Sequence, residues 1–110
     1  MGWSGRESQV ILSADDFGHS PAINAAIIRA HRAGVLTSAS LMVTGDACAE
    51  AVNLARATPT LAVGLHLVVV GGRAALSHQE IPHLVDRNGC FPAYPLLTGL
   101  RYAFDRAAQA

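Results

Sequence analysis

The chain has 110 residues, of which 51% are hydrophobic and 15% charged, with eight acidic residues against eight basic ones. That balance excludes a disordered polymer, which combines low hydrophobicity with high net charge. It also excludes the basic footprint of a nucleic-acid binder, and no apolar run reaches the roughly 20 residues of a membrane helix.

The first eight residues, MGWSGRES, are polar, lack the apolar core of a signal peptide, and are expected to be a flexible N-terminus. QVILSA, residues 9–14, is a short apolar run with β-branched members and predicts a buried strand. Ser20 and Pro21 then suit the N-cap and first position of a helix along PAINAAIIRAHRAG. Ile23, Ala26, Ile27 and Ala30 recur at helical spacing, and Gly34 is a natural stop. LTSASLMV, 36–43, predicts a second buried strand, and the stretch 46–57 a second helix with Asp46 as its cap. LAVGLHLVVV, 61–70, predicts a third strand.

Strand, helix, strand, helix, strand is the signature of parallel pairing through right-handed crossovers, so the fold class is α/β. From Gly71 to Tyr94 the pattern dissolves into Gly, Pro, His and Asn, a loop of a length that is usually functional or disordered. It holds one candidate helical turn in SHQEIPHLVD and a tight turn at Asn88-Gly89. PLLTGLRYAFDRAAQA predicts a final helix with Leu97, Leu100, Ala103 and Phe104 on one face. Cys48 and Cys90 lack metal spacing and read as reduced thiols.

The chemistry lies where strand one meets ADDFG. Adjacent Asp15 and Asp16 at the end of a buried strand need either a compensating cation or a strand end open to water. Ligands of parallel α/β folds bind at the carboxyl ends of the strands, where His66 in GLHL also falls. Thr37, Ser38 and Ser40 lie on strand two, nearer its start. Neighbouring residues of a regular strand face opposite ways, so the two acids share a pocket only where strand geometry ends. One could then bind a divalent metal with the imidazole while the other stays free to take a proton. A bound ion would lower the pKa of a water toward about 7. His19 is a loop residue that could face the pocket. His31, beside Arg29 and Arg32, reads as a solvated helix residue; His78 and His83 fall in the irregular loop. Gly71-Gly72 is too generic for a phosphate cradle.

SADDFGHSPAINAAIIRAHRAGVLTSASLMVTG, followed by AVGLHL, resembles the YdjC-like carbohydrate deacetylases, the family of chitooligosaccharide deacetylases. The likeness covers about residues 9–70. The loop EIPHLVDRNGCF looks like the branch associated with hopanoid biosynthesis. The resemblance implies a (β/α) barrel, of which this chain would supply the first βα units as a single N-terminal portion over 1–110, with 71–94 on the active-site side. It implies a divalent metal, zinc or magnesium, and hydrolysis of an N-acetyl group from an amino sugar. Carried over by position, Asp15 would be the general base, and Asp16 and His66 metal ligands. His19 stands where the family usually has an apolar residue and becomes a candidate substrate contact. The family's third metal ligand comes from a later His-rich motif that these 110 residues do not contain.

Two expectations follow. The first is a metal-dependent amide hydrolase acting on an N-acetylated sugar or glycolipid, cytoplasmic or peripheral to the inner membrane surface. The second is a catalytically incompetent α/β unit that forms a homo-oligomer through an exposed sheet edge.

Overall fold

The computed structural model describes residues 10–109. The expected flexible segment 1–8 and the first residue of the expected first strand lie outside the described residues. Three parallel strands, β1 (Ser13–Phe17), β2 (Ser38–Leu41) and β3 (Ala62–Leu65), form one sheet in the order β1-β2-β3. The helices α1 (Pro21–Arg32) and α2 (Cys48–Arg56) are the crossovers between them. Two more helices, α3 (Pro95–Phe104) and α4 (Arg106–Gln109), close the described chain. The parallel α/β class read from the alternation is the observed one. Among the described residues, no helix is long and apolar enough to cross a membrane.

α1 begins as its sequence dictates. The Ser20 hydroxyl accepts from the Ile23 amide at 3.3 Å, and Pro21 occupies the first turn, where its missing N–H costs nothing. Arg29, His31 and Arg32 fill the last turn, where cations complement the helix dipole. Ile27 and Ile28 from α1, Ala51 from α2, and Phe17, Ala39, Leu36 and Leu61 from the sheet and its approaches make one buried cluster. The sheet is covered incompletely: all four residues of β3 are exposed.

The strands are also shorter than their apolar runs. β1 starts at Ser13, because the Cα partners on β2 begin at Ser13↔Ser38; Val10 and Ile11 run ahead of the ladder and stay exposed. β3 ends at Leu65, since the chain leaves the sheet once His66 has donated its amide to the Leu41 carbonyl. Hydrophobicity marks candidates for pairing, but a strand extends only as far as its neighbour does.

α2 is not capped by Asp46. Its N-cap is Ala47, without a side-chain bond, because the preceding loop docks on the β1–α1 turn instead. There the Ala47 amide donates to the Gly18 carbonyl at 2.9 Å. Gly45 permits this approach, since a Cβ at that position would overlap the Gly18 carbonyl. Gly18 itself needs a positive φ of 97°, a region open to glycine without penalty.

Asn24 ties this corner together. It is fully buried, its Oδ1 accepting from the Gly18 amide at 2.7 Å. Its Nδ2 donates to the Ala47 carbonyl at 3.1 Å and to Glu50 Oε2 at 2.9 Å. His31 also departs from expectation. Its ring is not simply solvated: Nδ1 meets the Leu36 carbonyl and Nε2 the Thr60 hydroxyl, both at 2.8 Å, clasping the end of α1 to the loops before β2 and β3.

The stretch 71–94 is irregular but pinned. Gly71 donates to Pro92, Phe91 to Gly72 and Ala74 to Gly89, with an isolated antiparallel bridge at Arg73↔Cys90. The candidate segment SHQEIPHLVD forms turns rather than a named helix, and His78 Nδ1 is held at 3.1 Å from the Val85 carbonyl. The expected turn at Asn88-Gly89 is present, and Asp86 Oδ1 accepts from the Asn88 and Cys90 amides at 2.9 Å each. The Cys90 amide bond first, and the Asn88 bonds with it, hold the Asp86 carboxyl below its ordinary range against a smaller opposing effect of burial.

The final helix is not continuous. Asp105 adopts an extended ψ of 104°, and its carboxylate accepts from the Ala107 amide, so α4 starts anew. The shared apolar face is uncovered: Leu97, Leu100 and Phe104 are exposed, and Thr98 is the buried residue of α3. Both cysteines are free thiols.

Two outcomes are expected. Asn24→Ala leaves the buried Gly18 amide without its acceptor and should cost on the order of 2–3 kcal/mol in denaturant unfolding, whereas a surface change such as Arg29→Ala should cost under about 0.5. Because the folded Asp86 is the more acidic state, its support of the turn is present at neutral pH and is lost as the pH falls through its depressed pKa. Exchange protection of the Asn88 and Cys90 amides should therefore fall below about pH 4, and Asp86→Ala should abolish it at pH 7.

Candidate active site

Regular pairing would send Asp15 and Asp16 to opposite faces. The register shows how the chain avoids this: Ala14 pairs with Ala39 and Phe17 with Leu41, so two residues, Asp15 and Asp16, stand opposite Ser40 alone. This is a β-bulge, which breaks the ladder and re-aims side chains. Asp16 takes a left-handed φ of 64°, the one non-glycine residue to do so among those described. That conformation costs about 1 kcal/mol, least for Asp and Asn. Phe17, completely buried, anchors the strand immediately afterwards.

The bulge assembles four side chains on the rim. Ser40 Oγ donates to Asp15 Oδ1 at 2.8 Å and lies 3.2 Å from His66 Nδ1. The Asp16 backbone amide points at the same Nδ1 from 3.3 Å, and Asp16 Oδ1 lies 3.6 Å from it. Donation from the Asp16 N–H requires a lone pair on Nδ1. His66 is three-quarters buried on its side chain, while Asp16 is half exposed.

The acids are therefore not buried. Both are exposed, so the strand end is open to water and burial itself does not demand a cation. The donor set still accommodates one. Two ligands bound at about 2.1 Å to one tetrahedral ion stand roughly 3.4 Å apart, close to the observed separation of Asp16 Oδ1 and His66 Nδ1. Among the described residues no group of three His, Cys, Asp or Glu side chains could complete a metal site.

Ser40 is the participant that sequence reasoning left without a role. Its signal lies in the parallel register: it faces the bulge on one side and pairs with Gly64, two residues before His66, on the other. His19 does not join the cluster. It is exposed and lines a neighbouring cleft with Thr44, Asp46, Gly71, Gly72 and Arg73. His78 and His83 stand in the loop, and His78 serves that loop's own backbone.

A second cleft, of about 280 Å³, opens beside His66. Leu65, Leu67, Val68, Leu76, Ile81 and Phe91 make its wall largely aliphatic.

Comparison with known proteins extends these observations. A family model described as YdjC-like protein matches residues 9–110. A carbohydrate deacetylase of Brevibacillus brevis is 47% identical over 83 residues, covering 76% of this chain and 33% of that protein. Carbohydrate deacetylase 2 of Listeria innocua is 45% identical over 91 residues, covering 79% of this chain and 37% of that protein. A solved structure from Enterococcus faecalis V583, described as a cellobiose-phosphate cleavage protein, superposes with a TM-score of 0.73 at 38% identity, over 81% of this chain and 35% of that one. The chain thus spans about a third of the length of the curated relatives it matches. With the family model matching all but the first eight residues, the chain belongs to the YdjC-like family.

Proposed function

We propose that this chain carries the base-and-ligand rim of a metal-dependent carbohydrate deacetylase, which hydrolyses the N-acetyl group of an amino-sugar conjugate to acetate and a free amine. The observation that carries the reading is the four-residue cluster at the bulge, with one carboxylate beside the imidazole and the other held apart by Ser40. Relatives described as carbohydrate deacetylases, which match 76% and 79% of this chain, support it.

In this scheme Asp16 and His66 hold a divalent cation, zinc or magnesium. That ion, when bound, acidifies water and polarises the acetyl carbonyl. Asp15 is the general base. The Ser40 hydroxyl restrains its carboxylate at 2.8 Å, so one oxygen is fixed while the other remains available to accept a proton. Ser40 also stands 3.2 Å from His66, so one hydroxyl sets the spacing between base and ligand. Exposure of both acids leaves the rim open to a sugar approaching from solvent. The aliphatic cleft next to His66 suits an apolar aglycone, as in the glycolipid substrates of the hopanoid-associated branch, bound from the membrane surface by a cytoplasmic protein.

A second reading has its own observation. β3 is exposed throughout, and Leu67, Val69, Leu96, Leu97 and Phe104 add further uncovered apolar surface. An exposed sheet edge of this kind templates pairing with a second copy. Under this reading the chain is a homo-oligomer whose assembly ignores metal.

The two are separated by pairing acetate release from an N-acetylglucosamine oligosaccharide with zinc calorimetry and size exclusion. The deacetylase reading expects zinc uptake and acetate release that a chelator abolishes. Asp16→Ala should lose the metal. Asp15→Asn should keep it and lose turnover by about 100-fold or more. Equal zinc binding by wild type and Asp16→Ala, or a metal-indifferent oligomer without acetate release, would overturn it.

A further inference from the structure

A strand glycine sits beside the acid–imidazole cluster without serving the fold. Ala39 and Leu41 pack on the core side of β2, so Ser40 between them faces the other side, where its hydroxyl meets Asp15 and His66. Gly64 pairs with Ser40 in the parallel register and lies on that same side. His66, two residues further along, brings its ring back to Ser40 there, so Gly64 adjoins both in the sheet.

Glycine inside a strand weakens it, because the chain loses more freedom on folding and no side chain packs. Such a residue has a structural reason when the backbone needs a positive φ, when the ladder bulges, or when a side chain would strike the protein itself. None applies at Gly64. Its φ is not positive, and the β2–β3 register runs without a shift from Ser38↔Ala62 to Leu41↔Leu65. Its chain neighbours aside, a Cβ at Gly64 would meet no atom of the described residues within 4 Å. Gly18 and Gly45 differ, since a Cβ at either would crowd neighbouring backbone. The reason left is close approach by a ligand or another backbone. The side of β3 that carries Gly64 is exposed, and it is the side on which base, hydroxyl and imidazole converge, which favours the ligand.

We infer that Gly64 admits the acyl group of the substrate: the acetyl methyl rests on the bare backbone of Gly64, and a side chain there excludes it. The inference deepens the deacetylase reading and rests on it, because that reading brings the acyl carbonyl to Asp16 and His66. A carbonyl held there has its methyl on one side and the nitrogen with its sugar on the other. The sugar is bulky and polar, and the exposed acids leave its way open to solvent. The methyl is small and apolar, and the uncovered Cα of Gly64 beside Ser40 is a surface of matching size.

Calorimetry on the full chain, in the Asp15→Asn background that suppresses turnover, would compare an N-acetylglucosamine oligosaccharide with its N-formyl counterpart, with zinc and without it. Burial of one methyl is worth a factor of about four in affinity, so with Gly64 intact the N-acetyl sugar should bind about fourfold more tightly than the N-formyl sugar. Gly64→Ala should reverse the order. It should weaken the N-acetyl sugar about tenfold or more and leave the N-formyl sugar within about twofold. The unfolding midpoint of Gly64→Ala should stay level or rise, because alanine restricts the unfolded chain and meets nothing in the folded one. A lowered midpoint would show a glycine kept for the fold and overturn the inference. So would equal weakening of both sugars, which would put the sugar rather than the acyl group on Gly64. Unchanged affinities, or no binding of either probe with Gly64 intact, would overturn it as well. Failure of the deacetylase reading is read separately: no zinc uptake and no acetate release by the wild type would sink that reading, while the reversal measured without zinc would still support the acyl contact.

Discussion

Two residues facing one across a parallel ladder is the constraint on which the rim depends. Had β1 kept its register, Asp15 and Asp16 would point to opposite faces, and only one could reach the sheet end occupied by His66. The bulge opposite Ser40 removes that restriction, at the cost of a left-handed Asp16. Phe17 beneath and the Met42 amide, which donates to the Phe17 carbonyl at 2.7 Å, hold the strand on the far side of the distortion. A local departure from strand geometry is thereby fixed by packing rather than left to fluctuate.

The corner next to it serves the same end. Gly18 turns the chain out of β1, Asn24 reads that turn through the Gly18 amide, and the same side chain reaches the start of α2. Gly45 lets the β2–α2 loop touch the turn directly. The β1–α1 and β2–α2 loops are thus joined by polar contacts at the carboxyl end of the sheet, while the apolar cluster of α1, α2 and β2 supports them from below. Candidate ligand, base and restraining hydroxyl all sit on this rigid frame, which is the arrangement that positioned chemistry requires.

Much of this was legible in the residues. Ser20-Pro21 announced α1 and the alternation announced parallel strands, because capping and crossover rules are local. The order of ADDFG and GLHL announced a shared rim, because parallel strands deliver their carboxyl ends to one side. What escaped were features set by a partner. β1 is shifted toward its acids because β2 decides where pairing begins, and Asp46 forfeits the cap because the loop docks on Gly18. His31 looked solvated between two arginines, yet its ring reaches two loops that follow it in sequence. Asp105 breaks the last helix through a side-chain bond that helical periodicity does not reveal. Ser40 needed the register itself. Of the two ways to accommodate adjacent acids at a strand end, the rim open to water is the one observed: an apolar run predicts burial only where something covers the strand, and β3 shows how little of this sheet is covered.

The central claim is that one cation is shared between the carboxylate of Asp16 and Nδ1 of His66. Nitrogen-15 NMR of the imidazole during a zinc titration reads this at the atom concerned. The account predicts that Nδ1 of His66 shifts on zinc addition, that Nε2 moves far less, and that Asp16→Ala removes the response. A His66 ring that zinc leaves unchanged, or one that responds equally without Asp16, would contradict it.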